Sequence, residues 1–185
     1  MSNRKMLLPL LFCLIMTAAP AVSGEAVSDG DVILSVGFDD GTTDGFAIYT
    51  NGGSCEISNA DGALAVDIYG CGSLDYANQV YLDGFSLLQG CVYTYSFDIS
   101  CDLERQLDYR LQLNGGDYHA YQAERITAGP GWTHIEADWT MTEESDPAPR
   151  LVFNSKNSSK ILRRLFATKN LPSESSYHIV RCLHF

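Results

Sequence analysis

The 185 residues carry 12 Lys and Arg against 23 Asp and Glu, a formal net charge of −11 at neutral pH, with ten tyrosines and six cysteines. The charge is uneven: residues 25–154 hold 22 carboxylates and only Arg105, Arg110, Arg125 and Arg150 as bases, whereas residues 155–185 hold six bases and one acid. A body this acidic repels phosphate backbones, which excludes nucleic acid as its partner and leaves neutral ligands open.

Arg4 and Lys5 precede an apolar run from Met6 to Met16, and small residues follow from Thr17 to Gly24. That order predicts a secretory signal peptide over residues 1–24. The run is shorter than the roughly 18–20 residues a membrane span needs, so cleavage and a secreted, extracellular product without a membrane span are expected. About 160 residues then remain, enough for one domain with its own core.

From Val32 to Asn154 the pattern has period two, punctuated by turns, and helical periodicity is absent. Val32, Leu34 and Val36 alternate before Asp39-Asp40-Gly41, and Leu64, Val66 and Ile68 follow Ala60-Asp61-Gly62. Tyr93, Tyr95, Phe97 and Ile99 mark the strongest strand. Tyr109, Leu111 and Leu113 mark another, closed by Asn114-Gly115-Gly116; Ile135, Ala137, Trp139 and Met141 continue the series, and Leu151 and Phe153 end it. Short strands at this spacing predict an all-β fold, an antiparallel β-sandwich of the jelly-roll kind. Residues 155–185 break the pattern: Ile161 to Phe166 reads as a basic amphipathic stretch able to form a helical turn or two. The segment reads first as an atypical basic C-terminal tail, poorly ordered or aberrant through a reading-frame slip, and otherwise as a tail for a membrane surface or a partner.

Cys13 lies in the signal, so five cysteines are exported into a compartment that permits disulfides. Cys91 and Cys101 bracket one extended strand, and ten residues at roughly 3.3 Å each hold them too far apart to join. With Cys182 set aside in the tail, Cys55 or Cys71 is the expected partner of either, or the thiols are free.

Alternation also assigns the opposite face. With Tyr109 and Leu111 inward, Arg110 and Gln112 project outward; with Val80 and Leu82 inward, Gln79 and Tyr81 project outward; with Leu151 and Phe153 inward, Arg150 and Asn154 do. Planar amides and a guanidinium are the donors and acceptors a sheet would present to sugar hydroxyls. Aromatic rings supply the other half of a sugar site, because the C–H face of a pyranose is apolar. Tyr49 beside Thr50-Asn51-Gly52-Gly53, and Tyr118 and Tyr121 beside Asn114-Gly115-Gly116-Asp117, sit where core burial is not demanded, although each could equally cover a loop edge.

In order along the chain stand Phe38-Asp39-Asp40-Gly41 with Gly45-Phe46, Gly62-Ala63-Leu64-Ala65-Val66, Gln79-Val80-Tyr81-Leu82, Gly90 with Tyr93-Thr94-Tyr95-Ser96-Phe97-Asp98, and Asp146-Pro147 leading into Arg150-Leu151-Val152-Phe153-Asn154. This series resembles the carbohydrate-binding modules of the grouped families four, nine and twenty-two, and the likeness spans residues 32–154. It implies a jelly roll with a groove across one sheet that binds a β-linked polysaccharide such as xylan, β-glucan or amorphous cellulose, as the accessory of a secreted glycoside hydrolase. It places groove residues on Tyr49, Arg110, Tyr118 or Tyr121, and Asn154, with the strand from Gln79 at the groove's border. Phe46 stands where the family favours Trp. The family's structural calcium draws on an aspartate of a final strand, and nothing after Asn154 matches that strand. No cofactor is therefore expected to be required, and the sheet is expected to keep an unpaired edge.

Two other classes compete. A glycoside hydrolase needs a desolvated acid and a second carboxylate roughly 5–10 Å apart across a cleft; Asp39-Asp40, Asp102 with Glu104, and Glu143-Glu144 all fall in turn-like contexts. His119 and His134 lack a Ser or Cys in a recognisable nucleophile elbow, and no Cys/His spacing suits zinc, so neither catalytic nor metal-ligating residues are assigned. An exported structural or adhesion sandwich would need no amides and arginine gathered on one outer face.

Overall fold

The computed structural model describes residues 32–43, 45–155, 162–167 and 177–179. The predicted signal peptide lies outside them. Twelve strands and no helix occur among the described residues, and every strand pair is antiparallel. The strands are β1 (Leu34–Val36), β2 (Ala47–Thr50), β3 (Ser54–Asn59), β4 (Leu64–Gly70), β5 (Asn78–Leu82), β6 (Val92–Cys101), β7 (Arg105–Gln112), β8 (Ala120–Ala128), β9 (Thr133–Thr140), β10 (Arg150–Ser155), β11 (Leu162–Ala167) and β12 (Tyr177–Ile179).

Two sheets result. One has the order β2-β5-β10-β7-β8; the other runs β1-β12-β6-β11-β4-β3, with β9 on the remaining edge of β6. Period-two alternation buries one face of each. In β6 the odd positions Tyr93, Tyr95, Phe97, Ile99 and Cys101 all point inward, meeting Leu107, Tyr109 and Leu111 of β7 and Phe153 of β10. Aromatic edges organise the centre: Phe97 stands perpendicular to both Tyr109 and Phe153, with centroids 5.3 Å apart in each pair. The Tyr95 and Tyr109 hydroxyls bond one another there, which spares each phenol an unmet hydrogen bond.

The chain after Asn154 departs from the expected tail. β11 is a strand where a helical turn was anticipated, and it pairs with both β4 and β6. β12 pairs with β1 and with a different stretch of β6. Together they pair with Tyr95–Ser96 and Ile99–Cys101 of β6, so that edge is not left wholly unpaired as anticipated. A single sequence hides this because the strand partners lie far away in the chain, from Leu64–Ile68 to Ile99–Cys101. Val32 also differs from expectation: it is exposed and precedes β1 rather than belonging to it.

The cysteine expectation needs correcting in part. Cys91 is disulfide-bonded, while Cys55, Cys71 and Cys101 are thiols. Neither Cys55 nor Cys71 is therefore its partner, which lies outside the described residues. Cys55 is on the outermost strand of its sheet, with β4 and β11 between it and β6, a separation that no disulfide spans. β6 runs unbroken from Val92 to Cys101, as the argument against a Cys91–Cys101 bond required.

Candidate functional site

The outer face of the five-stranded sheet carries the candidate site, and the strand register builds it. Tyr49 pairs with Gln79, Gln79 with Asn154, Asn154 with Asp108, and Asp108 with Arg125, one line of side chains across all five strands. Two residues further along lies the line Ala47, Tyr81, Val152, Arg110 and Ala123, and beyond it Arg150 faces Gln112. Pairing residues recurs with period two, so these lines share a face.

Gln79, Arg110, Gln112 and Asn154 form the floor of a trough of about 360 Å³. Its walls are loops at opposite ends of the strands. Asp75 and Tyr76 come from the loop leading into β5, and Asp117 and Tyr118 from the loop between β7 and β8. Since β5 and β7 both run antiparallel to the β10 between them, one loop stands at the start of these two strands and the other at their end. The trough therefore crosses the strands.

Gln112 and Asn154, assigned outward by alternation, do leave the core side, yet they are only 4% and 3% exposed. Walls and neighbouring side chains cover them. The Gln79 amide donates to Asn154 Oδ1 at 2.8 Å, which orients both amides. Arg110 is different. Its Nε is buried and without a hydrogen-bond partner, a buried donor left unmet in a protein that satisfies nearly all such groups. Two residues away, Asp108 is buried and takes Nε of Arg125 at 2.8 Å, so that carboxylate is engaged by β8. The bond to Asp108 holds the Arg125 guanidinium above the ordinary arginine range.

Each wall is fixed by its own loop chemistry. The Asp75–Tyr76 loop is held by Asn78, whose Nδ2 donates to Gly70 O at 2.8 Å, and by Asn51 N donating to Ala77 O at 2.9 Å. A Cβ on Gly53 would come within 2.6 Å of Ala77 O, and one on Gly72, at φ +67°, within 2.9 Å of Gly52 O. Both positions require glycine for this close approach. In the opposite wall Tyr118 has φ +55°, rare for a bulky side chain, and remains 54% exposed. Tyr118 N donates to Gly115 O at 2.9 Å and Leu113 N to His119 O at 2.8 Å, closing the loop. His119 Nε2 meets Glu143 Oε1 at 2.8 Å, and that hydrogen bond raises the imidazole above its usual range.

The remaining sequence-assigned residues lie elsewhere. Tyr49 is 47% exposed at the outer end of the Gln79–Asn154 line, beyond the trough lining. Tyr81 is roofed by the Arg150 guanidinium, 3.9 Å from its ring centroid, while Arg150 is clamped by Asp83 through two 2.7 Å hydrogen bonds. One face of Tyr81 is thus unavailable for stacking. Tyr121 packs against the core and donates its hydroxyl to Asp146 Oδ2 at 2.8 Å. Burial, and then that bond, push its phenol up to about 12. Sequence reasoning missed Asp75, Tyr76 and Asp117. The Gly-Cys-Gly run of residues 70–72 signalled a tight loop, but nothing local said that the loop folds over this sheet.

At the first turn Asp40 Oδ1 is taken by the amide and hydroxyl of Thr42, and Asn59 Nδ2 donates to the carbonyls of Phe38 and Thr42 at 2.6 and 2.7 Å. Among the described residues no group of three or more His, Cys, Asp or Glu side chains is placed to hold a metal ion, and no helix is long and apolar enough to cross a membrane.

A sandwich with a mixed amide, guanidinium and tyrosine trough across one sheet defines a carbohydrate-binding domain. A family profile described as a carbohydrate binding domain matches residues 30–160, and the chain belongs to that family, the grouped carbohydrate-binding modules four and nine, which bind and do not catalyse. Among solved structures, a family-four module aligns with a TM-score of 0.62 at 16% identity, covering 80% of this chain and 94% of that one. The N-terminal cellulose-binding domain of Cellulomonas fimi β-1,4-glucanase C aligns at 0.60 and 17% identity, covering 80% and 96%. The CBM22-1 xylan-binding domain from Paenibacillus barcinonensis aligns at 0.57 and 15% identity, covering 86% and 99%. At these identities the likeness establishes the fold. No curated protein matches the sequence.

Proposed function

We propose that the trough holds a single chain of a neutral β-linked polysaccharide, of the xylan, β-glucan or amorphous-cellulose class, without chemical turnover. The observation that carries this reading is the floor itself, where the Arg110 guanidinium stands among the amides of Gln79, Gln112 and Asn154, two of them oriented by their mutual hydrogen bond. Sugar hydroxyls are both donors and acceptors and would complete this set, while Tyr76 and Tyr118 on the two walls offer apolar ring faces to the pyranose. Asp75 and Asp117 are exposed, unlike the desolvated acid that hydrolysis requires, so the walls support binding rather than cleavage. The domain would serve as the accessory of a secreted glycoside hydrolase, in keeping with the export signal read in residues 1–24.

Affinity electrophoresis of the mature protein in gels containing xylan, mixed-linkage glucan, mannan or hydroxyethylcellulose tests it. Retardation on one neutral glycan, lost on Arg110→Ala, is the expected result. Unretarded migration on every glycan would rule the reading out, and release of reducing sugar by the chain alone would revive an enzymatic one.

A further inference from the structure

Beside the trough lies a second, separate depression of about 510 Å³, within the roughly 300–1,000 Å³ typical of small-ligand sites. Asp83 and Ser86 enter it from the turn after β5, Pro147 and Ala148 from the segment before β10, and Asn114 from the first residues after β7. These three chain segments leave their strands at one end of the sheet, the end at which the Asp117–Tyr118 wall stands. That wall belongs to the β7–β8 loop. At the same end the depression lies beyond the ends of β5 and β10, with Ile33 from ahead of β1 at its far side.

Arg150 forms the sill between the two. It is paired in register with Gln112 of the trough floor, and its guanidinium is clamped to Asp83 of the depression. Stacking on Tyr81 fixes the guanidinium plane. Two of its five N–H groups, on Nε and Nη2, are committed to Asp83, which leaves the other guanidinium donors for an acceptor crossing the sill. Phe85 and Pro147 provide apolar surface in the depression, and Ser86 and Asn114 provide exposed hydroxyl and amide groups.

The geometry points to this depression as a side-group site: a single neutral sugar branching from the backbone held in the trough passes over Arg150 and seats between Phe85, Pro147, Ser86 and Asn114. The inference rests on the glycan reading of the trough and narrows its substrate to a decorated chain. A neutral branch fits better than a uronic acid, because Asp83 is already matched by Arg150 and Asp117 is nearby. The backbone lies across the strands within the trough, and the depression lies beyond the strand ends at Asp83, Asn114 and Ala148, so the side group is what reaches it.

Calorimetric titration of the full chain with matched oligosaccharides separates the two claims. The probes are a linear gluco-oligosaccharide against its xylose-branched counterpart, and a linear xylo-oligosaccharide against its arabinose-branched counterpart. In the pair whose backbone binds, the branched member is expected to bind at least fivefold more tightly. Ala148→Trp, at an exposed position in the depression, is expected to remove that gain and leave linear affinity unchanged; Ser86→Trp is the second filling variant should the first shift the unfolding midpoint. Equal or weaker binding of the branched member, or loss of linear affinity in a filling variant that remains folded, overturns the side-group site while the trough reading stands. Binding of no member of either pair overturns the trough reading and this one with it.

Discussion

Replacing Arg110 by methionine distinguishes a residue kept for binding from one kept for the fold. In the free protein Arg110 Nε is buried with no partner, a state that costs about 1–3 kcal/mol for a polar group. Methionine retains much of the apolar stem over Val152 and Ala123 in the same line and removes the unmet donor. The variant is therefore expected to be at least as stable as the parent, by about 0–2 kcal/mol in urea unfolding followed by tryptophan fluorescence. Affinity goes the other way. Hydrogen bonds from a charged donor contribute about 1.5–3 kcal/mol, which corresponds to a loss of roughly 10- to 150-fold in Kd for the retained glycan, measured by titration calorimetry. A gain or tie in stability together with lost binding marks strain held for function. Destabilisation by more than about 1 kcal/mol with affinity intact would refute the reasoning, because it would make Arg110 a structural residue with a partner.

Gly72→Ala should damage the Asp75–Tyr76 wall, since the new Cβ adopts an unfavourable positive φ and presses on Gly52 O. A loss of about 1–3 kcal/mol is expected in chemical unfolding, with weakened glycan binding, and an unchanged midpoint would contradict the packing described. His119 should titrate by NMR above the ordinary imidazole value, and Glu143→Gln should abolish most of the shift. Because its folded value is raised, the pair's stabilisation is full below the unfolded imidazole value near 6.5 and is lost as pH rises through the folded one. Stability rising with pH across that window on account of this pair would have the wrong sign. Cys55 and Cys101 are buried, and burial raises both thiols, Cys101 to about 11. Neither should react with a disulfide reagent at pH 8 until denaturant is added; rapid labelling of Cys101 in the native protein would argue against its place in the core.

Period-two alternation is a local property, and it settled a good deal. It placed Tyr109 and Leu111 in the core and Arg110 and Gln112 on the other face, because successive side chains on any strand point to opposite sides regardless of what the strand pairs with. The ordered motifs from Phe38 to Asn154 carried the family, now matched over residues 30–160. Alternation could not say which outward residues meet solvent. Asn154 is covered because the register sets it beside Gln79, 75 residues earlier, and Tyr81 is roofed because Arg150 crosses from the next strand to reach Asp83. Asp75, Tyr76 and Asp117 come from loops whose destination depends on close packing at Gly53 and Gly72 and on the closure of the Gly115–His119 turn. The strands β11 and β12 likewise exist only through their pairing with β6, in a stretch whose own pattern suggested a helical turn. The sequence by itself determined the face of the side chains on the regularly alternating strands; strand register and loop packing, which join residues far apart in the chain, decided which of them became the floor, the walls and the sill of the candidate site.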